Sequence, residues 1–133
     1  MQFSMPTTTP TYSERHKEIV GQVMVAVFVR KDPLTVMHLF SENYVQHNPL
    51  IPNGRDAIPA MIAALPSDFS YKPGMVVADG DIVMVHGRYV GWGAKPMVAV
   101  DIFRLENGLL AEHWDVLQEE VPAASSANGN AMF

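Results

Sequence analysis

The sequence contains no cysteine, and this absence removes several kinds of chemistry at once. Without thiols the chain can form no disulfide and can offer no cysteine nucleophile. Iron–sulfur clusters and zinc sites built on thiolates are excluded for the same reason. The redox compartment of the protein stays undetermined.

Basic residues are few, and long apolar runs are missing. Nine Lys and Arg stand against 14 Asp and Glu, which gives a net charge of -5. Because no basic cluster is present, nucleic acid and anionic membranes are poor candidates as partners. The opening MQFSMPTTTPTYSE has neither the basic start nor the apolar segment of a signal peptide, and no run is long enough to span a bilayer. We therefore expect a cytoplasmic protein.

The composition indicates one compact domain. With 133 residues, 48% of them hydrophobic, the chain is long enough to build a single core without disulfides or metals. The Thr- and Pro-rich residues 1–10 are predicted to be a flexible leader, residues 11–122 the domain, and residues 123–133 a flexible tail. Met132 and Phe133 in that tail would gain by docking in an apolar groove, and a frayed terminus is the alternative.

The first half of the chain has the spacing of helices. Thr11 followed by Glu14 fits a capping box, and apolar residues then recur at helical spacing to about Arg30. Asp32 before Pro33 predicts the cap and first residue of a short second helix, which carries Leu34, Met37 and Phe40 on one side.

A third helix follows an extended segment. In SENYVQHNPLIPNG, Tyr44 and Val45 favour a brief strand and the prolines favour a loop. Helical spacing resumes near Asp56 and ends at Pro66. The chain therefore has three predicted helices, all in its first half.

From Phe69 onward the pattern indicates strands. Four apolar runs are separated by short turns, and they are residues 69–78, DIVMVHGRYVGW, MVAVDIFRL and LLAEHWDVLQEEV. Consecutive strands with short connections predict an antiparallel meander. Helices first and a sheet afterwards indicate an α+β fold in which a curved sheet wraps against the helices.

The last two strands bring three ionisable residues together. If Gly108 closes a three-residue hairpin with a bulge, Asp101 lies opposite His113, and Asp115 is the next residue on the same side. A strict two-residue turn would instead place Asp101 beside Trp114. Two carboxylates and an imidazole in an apolar hollow would push one another's pKa values apart, as acid/base sites require. The alternative is an ordinary salt link between His113 and Asp101.

Several of these segments resemble a known family. The leading helix with its short partner, YVQHNP before a Gly-initiated helix, and VDIFRLENGLLAEHWDV together resemble the SnoaL-like polyketide cyclases. These belong to the nuclear transport factor 2-like (NTF2-like) superfamily, whose α+β cone is also called cystatin-like or ketosteroid-isomerase-like. The resemblance covers roughly residues 14–120. It implies a homodimer and a fold that serves isomerases, cyclases, hydrolases and proteins without catalysis.

The resemblance also implies roles for particular residues. Asp115 matches the acid/base aspartate of the SnoaL-type cyclases. Asp101 matches the position where ketosteroid isomerases hold a protonated aspartate against the developing enolate, and where polyketide cyclases have a histidine. Asn48 replaces the base aspartate of the isomerases, so a hydrogen-bonding role is expected, and His47 is expected to flank the same mouth.

The resulting hypothesis is an enzyme without a cofactor that moves a proton beside a carbonyl group of a small apolar substrate, by aldol-type cyclisation or isomerisation. Asp115 would be the base, and His113 would orient it or share its proton. Asp101 and Asn48 would stabilise the enolate oxygen. The predicted walls of the pocket are Tyr44, Trp92, Met97 and Phe103.

Other functions remain open at this stage. The same carboxylates could activate water, as in an epoxide hydrolase or a dehydratase, and a binding protein without catalysis is the main alternative from another class. A metal site would have to use His47, Asp101, His113 and Asp115, which lack any ligand-spacing motif, so no metal is expected.

Overall fold

The computed structural model describes residues 10–133, so most of the predicted leader lies outside the described residues. The first helix, α1, spans Tyr12–Met24 and continues as a π-helical turn, Val25–Val29. Thr11 Oγ1 accepts a hydrogen bond from the Glu14 N–H at 3.1 Å, and the Glu14 carboxylate accepts one from the Thr11 N–H at 3.2 Å. The capping box and the long first helix are therefore confirmed.

The second helix differs from its prediction. Pro33–Leu39 form a 3₁₀ helix, Pro33 opens it as expected, and the Asp32 side chain makes no capping hydrogen bond. Phe40, predicted to lie on this helix, begins the first strand, β1 (Phe40–Gln46). The extended backbone places the Phe40 ring in the core, where it is 2% exposed. Burial of this ring therefore outweighs the helical spacing.

The third helix, α2, is short and spans Ala57–Ala63. Asp56 occupies its N-cap position, as predicted, and Pro59 lies within the first turn, where its missing N–H is tolerated. The helix ends before Pro66. Between β1 and α2, residues 47–56 form the predicted loop.

Five strands form one curved, unclosed sheet. The remaining four strands are β2 (Ser70–Asp79), β3 (Ile82–Val90), β4 (Met97–Glu106) and β5 (Leu109–Glu119). The sheet order is β1-β5-β4-β3-β2, in which β2 to β5 form the predicted antiparallel meander and β1 runs parallel to β5. The predicted α+β fold is confirmed, and the inner face of the sheet packs against α1.

The hairpin between β4 and β5 uses a turn different from the predicted one. Asn107 and Gly108, with φ values of 53° and 75°, form a tight two-residue turn. A bulge at Ala111 then shifts the register, because Leu105 pairs with Leu110 and Arg104 with Glu112. Because Ala111 is an extra residue in β5, the side chains that follow it return to the face on which they were predicted.

The pairing partners change as a consequence. Asp101 lies opposite Asp115 and not opposite His113, while Phe103 lies opposite His113 and not opposite Ala111. Asp101, His113 and Asp115 nevertheless share the inner face. The shorter turn and the bulge each shift the predicted register by one residue, and a total shift of two residues leaves every side chain on its predicted face. The predicted constellation is therefore present with a different register.

The outer face of the sheet is partly covered by the C-terminal residues. The Phe133 ring packs at 5.3 Å from the ring of His86, and a Cβ on Gly74 would come within 2.6 Å of it. Met132 Sδ accepts a hydrogen bond from the Val121 N–H at 3.2 Å. Residues 123–125 form a single 3₁₀ turn.

None of the helices found within residues 10–133 is both long enough and apolar enough to cross a membrane.

Candidate active site

Three ionisable side chains meet on the inner face of β4 and β5. The Nε2 atom of His113 lies 2.8 Å from Asp101 Oδ1 and 3.9 Å from Asp115 Oδ2. Asp101 is 4% exposed, His113 is 5% exposed, and the Asp115 side chain is 9% exposed. Charged groups removed from water in this way are costly unless they are paired, so the cluster requires a defined arrangement of protons.

Gln46, at the end of β1, fixes the first of these protons. Its Oε1 atom accepts hydrogen bonds from the backbone N–H of His47 at 3.1 Å and of Asn48 at 3.0 Å. Because two backbone donors identify this atom as the oxygen, its third neighbour, His113 Nδ1 at 2.6 Å, must also be a donor. His113 is therefore protonated on Nδ1.

The second nitrogen of His113 then shares one proton with Asp101. Either Nε2 carries the proton and Asp101 is a carboxylate, or Nε2 accepts it from a protonated Asp101 Oδ1. In both forms a single proton lies between these two atoms. Asp101 and His113 thus form a pair that can donate one proton at a buried position.

Tyr89 holds the other oxygen of Asp101. The Tyr89 hydroxyl donates to Asp101 Oδ2 at 2.6 Å, in a position that is 4% exposed. Burial raises the pKa of Tyr89, and the negative charge of Asp101 raises it further. The phenol consequently remains a donor and keeps the Asp101 carboxyl group in one orientation.

Asn48 holds Asp115 in an analogous way. The Oδ1 atom of Asn48 accepts the backbone N–H of Leu50 at 2.9 Å, so its Nδ2 group points to Asp115 Oδ2 at 2.7 Å. Within residues 10–133, no group donates a hydrogen bond to Oδ1 of Asp115. One carboxyl oxygen is therefore anchored and the other is available for reaction.

The surroundings of Asp115 favour the neutral acid. Burial is the largest influence and raises the pKa of Asp115, and the nearby Asp101 acts in the same direction. The Asn48 hydrogen bond and the charge of His113 oppose this increase. A carboxylate with a raised pKa is a stronger base than an ordinary aspartate, while the opposing contacts keep it ionisable.

An apolar cavity of about 40 Å³ adjoins the cluster, which is room for a few water molecules. The carboxyl groups, His113 and Gln46 contribute to its wall, and most of the remaining lining is apolar. Three of the four predicted wall residues line it, namely Tyr44, Trp92 and Phe103. An apolar cavity into which a small number of polar groups converge is typical of a small-molecule site.

Two residues predicted for the site lie elsewhere. His47 is on the outer side of the sheet, where its ring stacks on Trp114 at 4.8 Å and Nε2 is 2.6 Å from Glu112. It lies outside the cavity because successive residues at the end of β1 point to opposite faces. Met97 packs against the core without lining the cavity.

Sequence reasoning missed Gln46 and Tyr89. Gln46 lies two residues after the predicted wall residue Tyr44 in β1, so strand parity could have indicated it. No residue of β3 was predicted to face inward, so parity could not indicate Tyr89. The partner of Gln46 could not be deduced, because the pairing of β1 with β5 joins distant segments, whereas Tyr89 reaches Asp101 on the neighbouring strand β4.

A metal ion would compete with this hydrogen-bond network. Ligand atoms of Asp101, His113 and Asp115 lie within 4.8 Å of one another. However, His113 could offer Nε2 to a metal only by giving up the short contact with Asp101. A metal bound here would displace the proton between His113 Nε2 and Asp101, so metal binding and proton transfer through this pair exclude each other.

The chain has the α+β NTF2-like fold of several solved structures. One similar solved structure is that of a "putative ketosteroid isomerase" from Kribbella flavida, with a TM-score of 0.71 and 19% identity, covering 82% of each chain. Another is TsrD from Streptomyces laurentii, with a TM-score of 0.62 and 26% identity over 77% of this chain and 90% of that one. A third, a "putative polyketide cyclase" from Acidithiobacillus ferrooxidans, has a TM-score of 0.64 and 19% identity over 81% and 91% of the two chains.

The family is defined more narrowly by sequence. The SnoaL-like domain family matches residues 22–113, which is more than half of the chain, and the protein belongs to this family. A search of curated proteins gives no significant match. The predicted family and superfamily are therefore confirmed.

Proposed function

We propose that the protein is an enzyme that transfers a proton at the carbon beside a carbonyl group, without a cofactor, and so isomerises or cyclises a small apolar substrate. The observation that carries this proposal is the contrast between two neighbouring acid groups. Asp115 has a free oxygen and a raised pKa, whereas Asp101 shares one proton with His113. A base and a proton donor are thus held side by side.

Asp115 is the base in this mechanism. Its ionised Oδ1 removes the proton from the carbon, while the Nδ2 group of Asn48 keeps the carboxylate in position through Oδ2. A positioned acid/base group of this kind accelerates a reaction by about 10²- to 10⁴-fold.

The Asp101–His113 pair acts on the carbonyl oxygen. As negative charge develops there, the shared proton can move toward it, and Tyr89 and Gln46 hold the two ends of the pair in place. One donor aimed at a developing oxyanion contributes about 10²- to 10³-fold to the rate. Return of the proton from Asp115 to a different carbon gives isomerisation, and attack of the enolate on a second carbonyl gives a ring.

Deuterium exchange tests the proposal without knowledge of the natural substrate. A methyl ketone, 2-decanone, is incubated with the protein in D₂O, and incorporation beside the carbonyl is followed by NMR. The wild-type protein is expected to accelerate exchange, and Asp115→Asn is expected to lose at least about a hundredfold of that acceleration.

The matched control is Glu119→Gln, which makes the same chemical change at an exposed position of β5. It is expected to exchange at the wild-type rate. Equal rates in the absence and presence of wild-type protein would favour a binding protein without catalysis. Equal rates for wild type and Asp115→Asn would remove Asp115 from the reaction.

A further inference from the structure

An open groove adjoins the inner cavity. It lies between loop residues 50–52 and α2 and has a volume of about 460 Å³, far larger than the cavity of about 40 Å³. Ile51, Met61 and Trp92 line both the groove and the cavity. The two spaces are therefore neighbours that share a wall. We call the larger one the α2 groove and the smaller one the inner cavity.

The side chains that line the α2 groove are hydrocarbon or thioether groups, apart from the indole of Trp92. Its residues are Leu50, Ile51, Pro52, Ala57, Ala60, Met61, Ala64, Leu65 and Trp92. Leu50 is 79% exposed, and the alanines on the α2 side leave space that larger side chains would fill. A phosphate, a carboxylate or a sugar would lose its hydration there and find the indole N–H of Trp92 as the sole side-chain donor among the lining residues.

We infer that the α2 groove binds the apolar extension of the substrate, whose carbonyl-bearing end enters the inner cavity. This inference rests on the proposed function. The inner cavity has room only for a small head group, so the remainder of a larger molecule must lie outside it. Burial of a hydrocarbon chain against the adjoining apolar surface is favourable, so the substrate class is a neutral, elongated carbonyl compound with one apolar arm.

Binding of methyl ketones of increasing length tests this inference. Dissociation constants are measured by NMR titration for 2-butanone through 2-decanone. Burial of one methylene contributes about 0.8 kcal/mol, which corresponds to about a fourfold decrease in Kd for each added carbon that enters the groove. An affinity that stops improving at the shortest ketones would overturn the inference.

Two variants on α2 provide a matched comparison. Ala60 lines the groove and Ala63 does not, and both are exposed. Ala60→Glu is expected to raise the Kd of 2-decanone at least about tenfold and to leave that of 2-butanone within about twofold. Ala63→Glu is expected to change neither. If Ala60→Glu does not fold, Ala64→Glu makes the same test at another groove alanine.

The outcome is separable from that of the proposed function. Binding is measured without turnover, so Asp115→Asn should keep the dependence on chain length even though it loses exchange. Equal effects of Ala60→Glu and Ala63→Glu on 2-decanone would overturn the groove assignment. If Asp115→Asn loses exchange but its Kd values depend on ketone length as in the wild type, the groove assignment is supported.

Discussion

Asp101 and Asp115 face each other across β4 and β5, and the Nε2 atom of His113 contacts both carboxyl groups, at 2.8 Å and 3.9 Å. Two carboxylates this close in an apolar setting cannot both ionise without a compensating positive charge. The imidazole supplies that charge when the shared proton is on Nε2. The behaviour of the site therefore depends on where this proton resides and on the residues that hold it there.

Two buried tyrosines should respond oppositely to the loss of their hydroxyls. Tyr89→Phe removes the donor to Asp101 and is expected to reduce the free energy of unfolding by about 1.5–3 kcal/mol, as for a hydrogen bond to a charged group. Tyr71 is also buried, and its hydroxyl has no hydrogen-bond partner of good geometry within residues 10–133, although the Tyr89 hydroxyl is a polar neighbour. Tyr71→Phe is expected to be neutral or stabilising. Denaturant unfolding of both variants checks this, and equal losses would contradict the Tyr89–Asp101 contact.

Gln46 should set the protonation of His113. Gln46→Met removes the common acceptor and leaves the Asn48 N–H and His113 Nδ1 unpaired, at a cost of about 1–3 kcal/mol for each group. Gln46→Glu keeps an acceptor for His113 Nδ1 and should keep the proton on this nitrogen. NMR should detect a slowly exchanging His113 Nδ1 proton in the wild type and in Gln46→Glu, and none in Gln46→Met. The same proton in Gln46→Met would show that Gln46 does not hold it.

Asn48 should tune the basicity of Asp115. Asn48→Asp replaces the donor to Asp115 Oδ2 by a second carboxyl group, which raises the pKa of Asp115 further. The pH at which exchange activity develops should therefore move upward. Asn43→Asp introduces the same charge at an exposed position of β1 and should leave the pH profile in place. Equal profiles for Asn48→Asp and the wild type would contradict the contact.

The raised pKa of Asp115 also predicts how stability depends on pH. The folded state holds the proton of Asp115 more tightly than the unfolded chain does. The contribution of Asp115 to the free energy of unfolding therefore decreases as the pH rises from 3.8, the ordinary pKa of aspartate, through the raised pKa of the folded state. Asp115→Asn cannot ionise and escapes this loss. Its Tm relative to the wild type should be higher at pH 7 than at pH 4, and a difference of the opposite sign would contradict the raised pKa.

The fold could be predicted from periodicity, whereas the register of the site could not. Helical spacing before residue 66 and alternation after residue 69 were sufficient for an α+β arrangement. Parity alone placed His113 and Asp115 on one face of β5, whereas the side on which Asp101 lies relative to them depended on the hairpin turn. Their partners depended on the bulge at Ala111, for which an apolar alternating sequence gives no signal.

The contacts that complete the site come from a distant segment. Gln46 and Asn48 reach His113 and Asp115 because β1 runs parallel beside β5, with 67 residues between each pair of contacting side chains. Local patterns carry no information about such pairing. His47 was expected at the mouth, but the alternation of side chains at the end of β1 places it on the outer face against Trp114.

The measurement that tests the role of Asp115 most directly is the pH dependence of deuterium exchange into 2-decanone, compared between the wild type and Asp115→Asn. The wild-type rate should rise with pH through a single ionisation above the usual range of aspartate, because only the ionised Asp115 accepts a proton. Asp115→Asn should retain no more than about one hundredth of the plateau rate at any pH. A variant that keeps both the rate and the ionisation would contradict the assignment of Asp115 as the base.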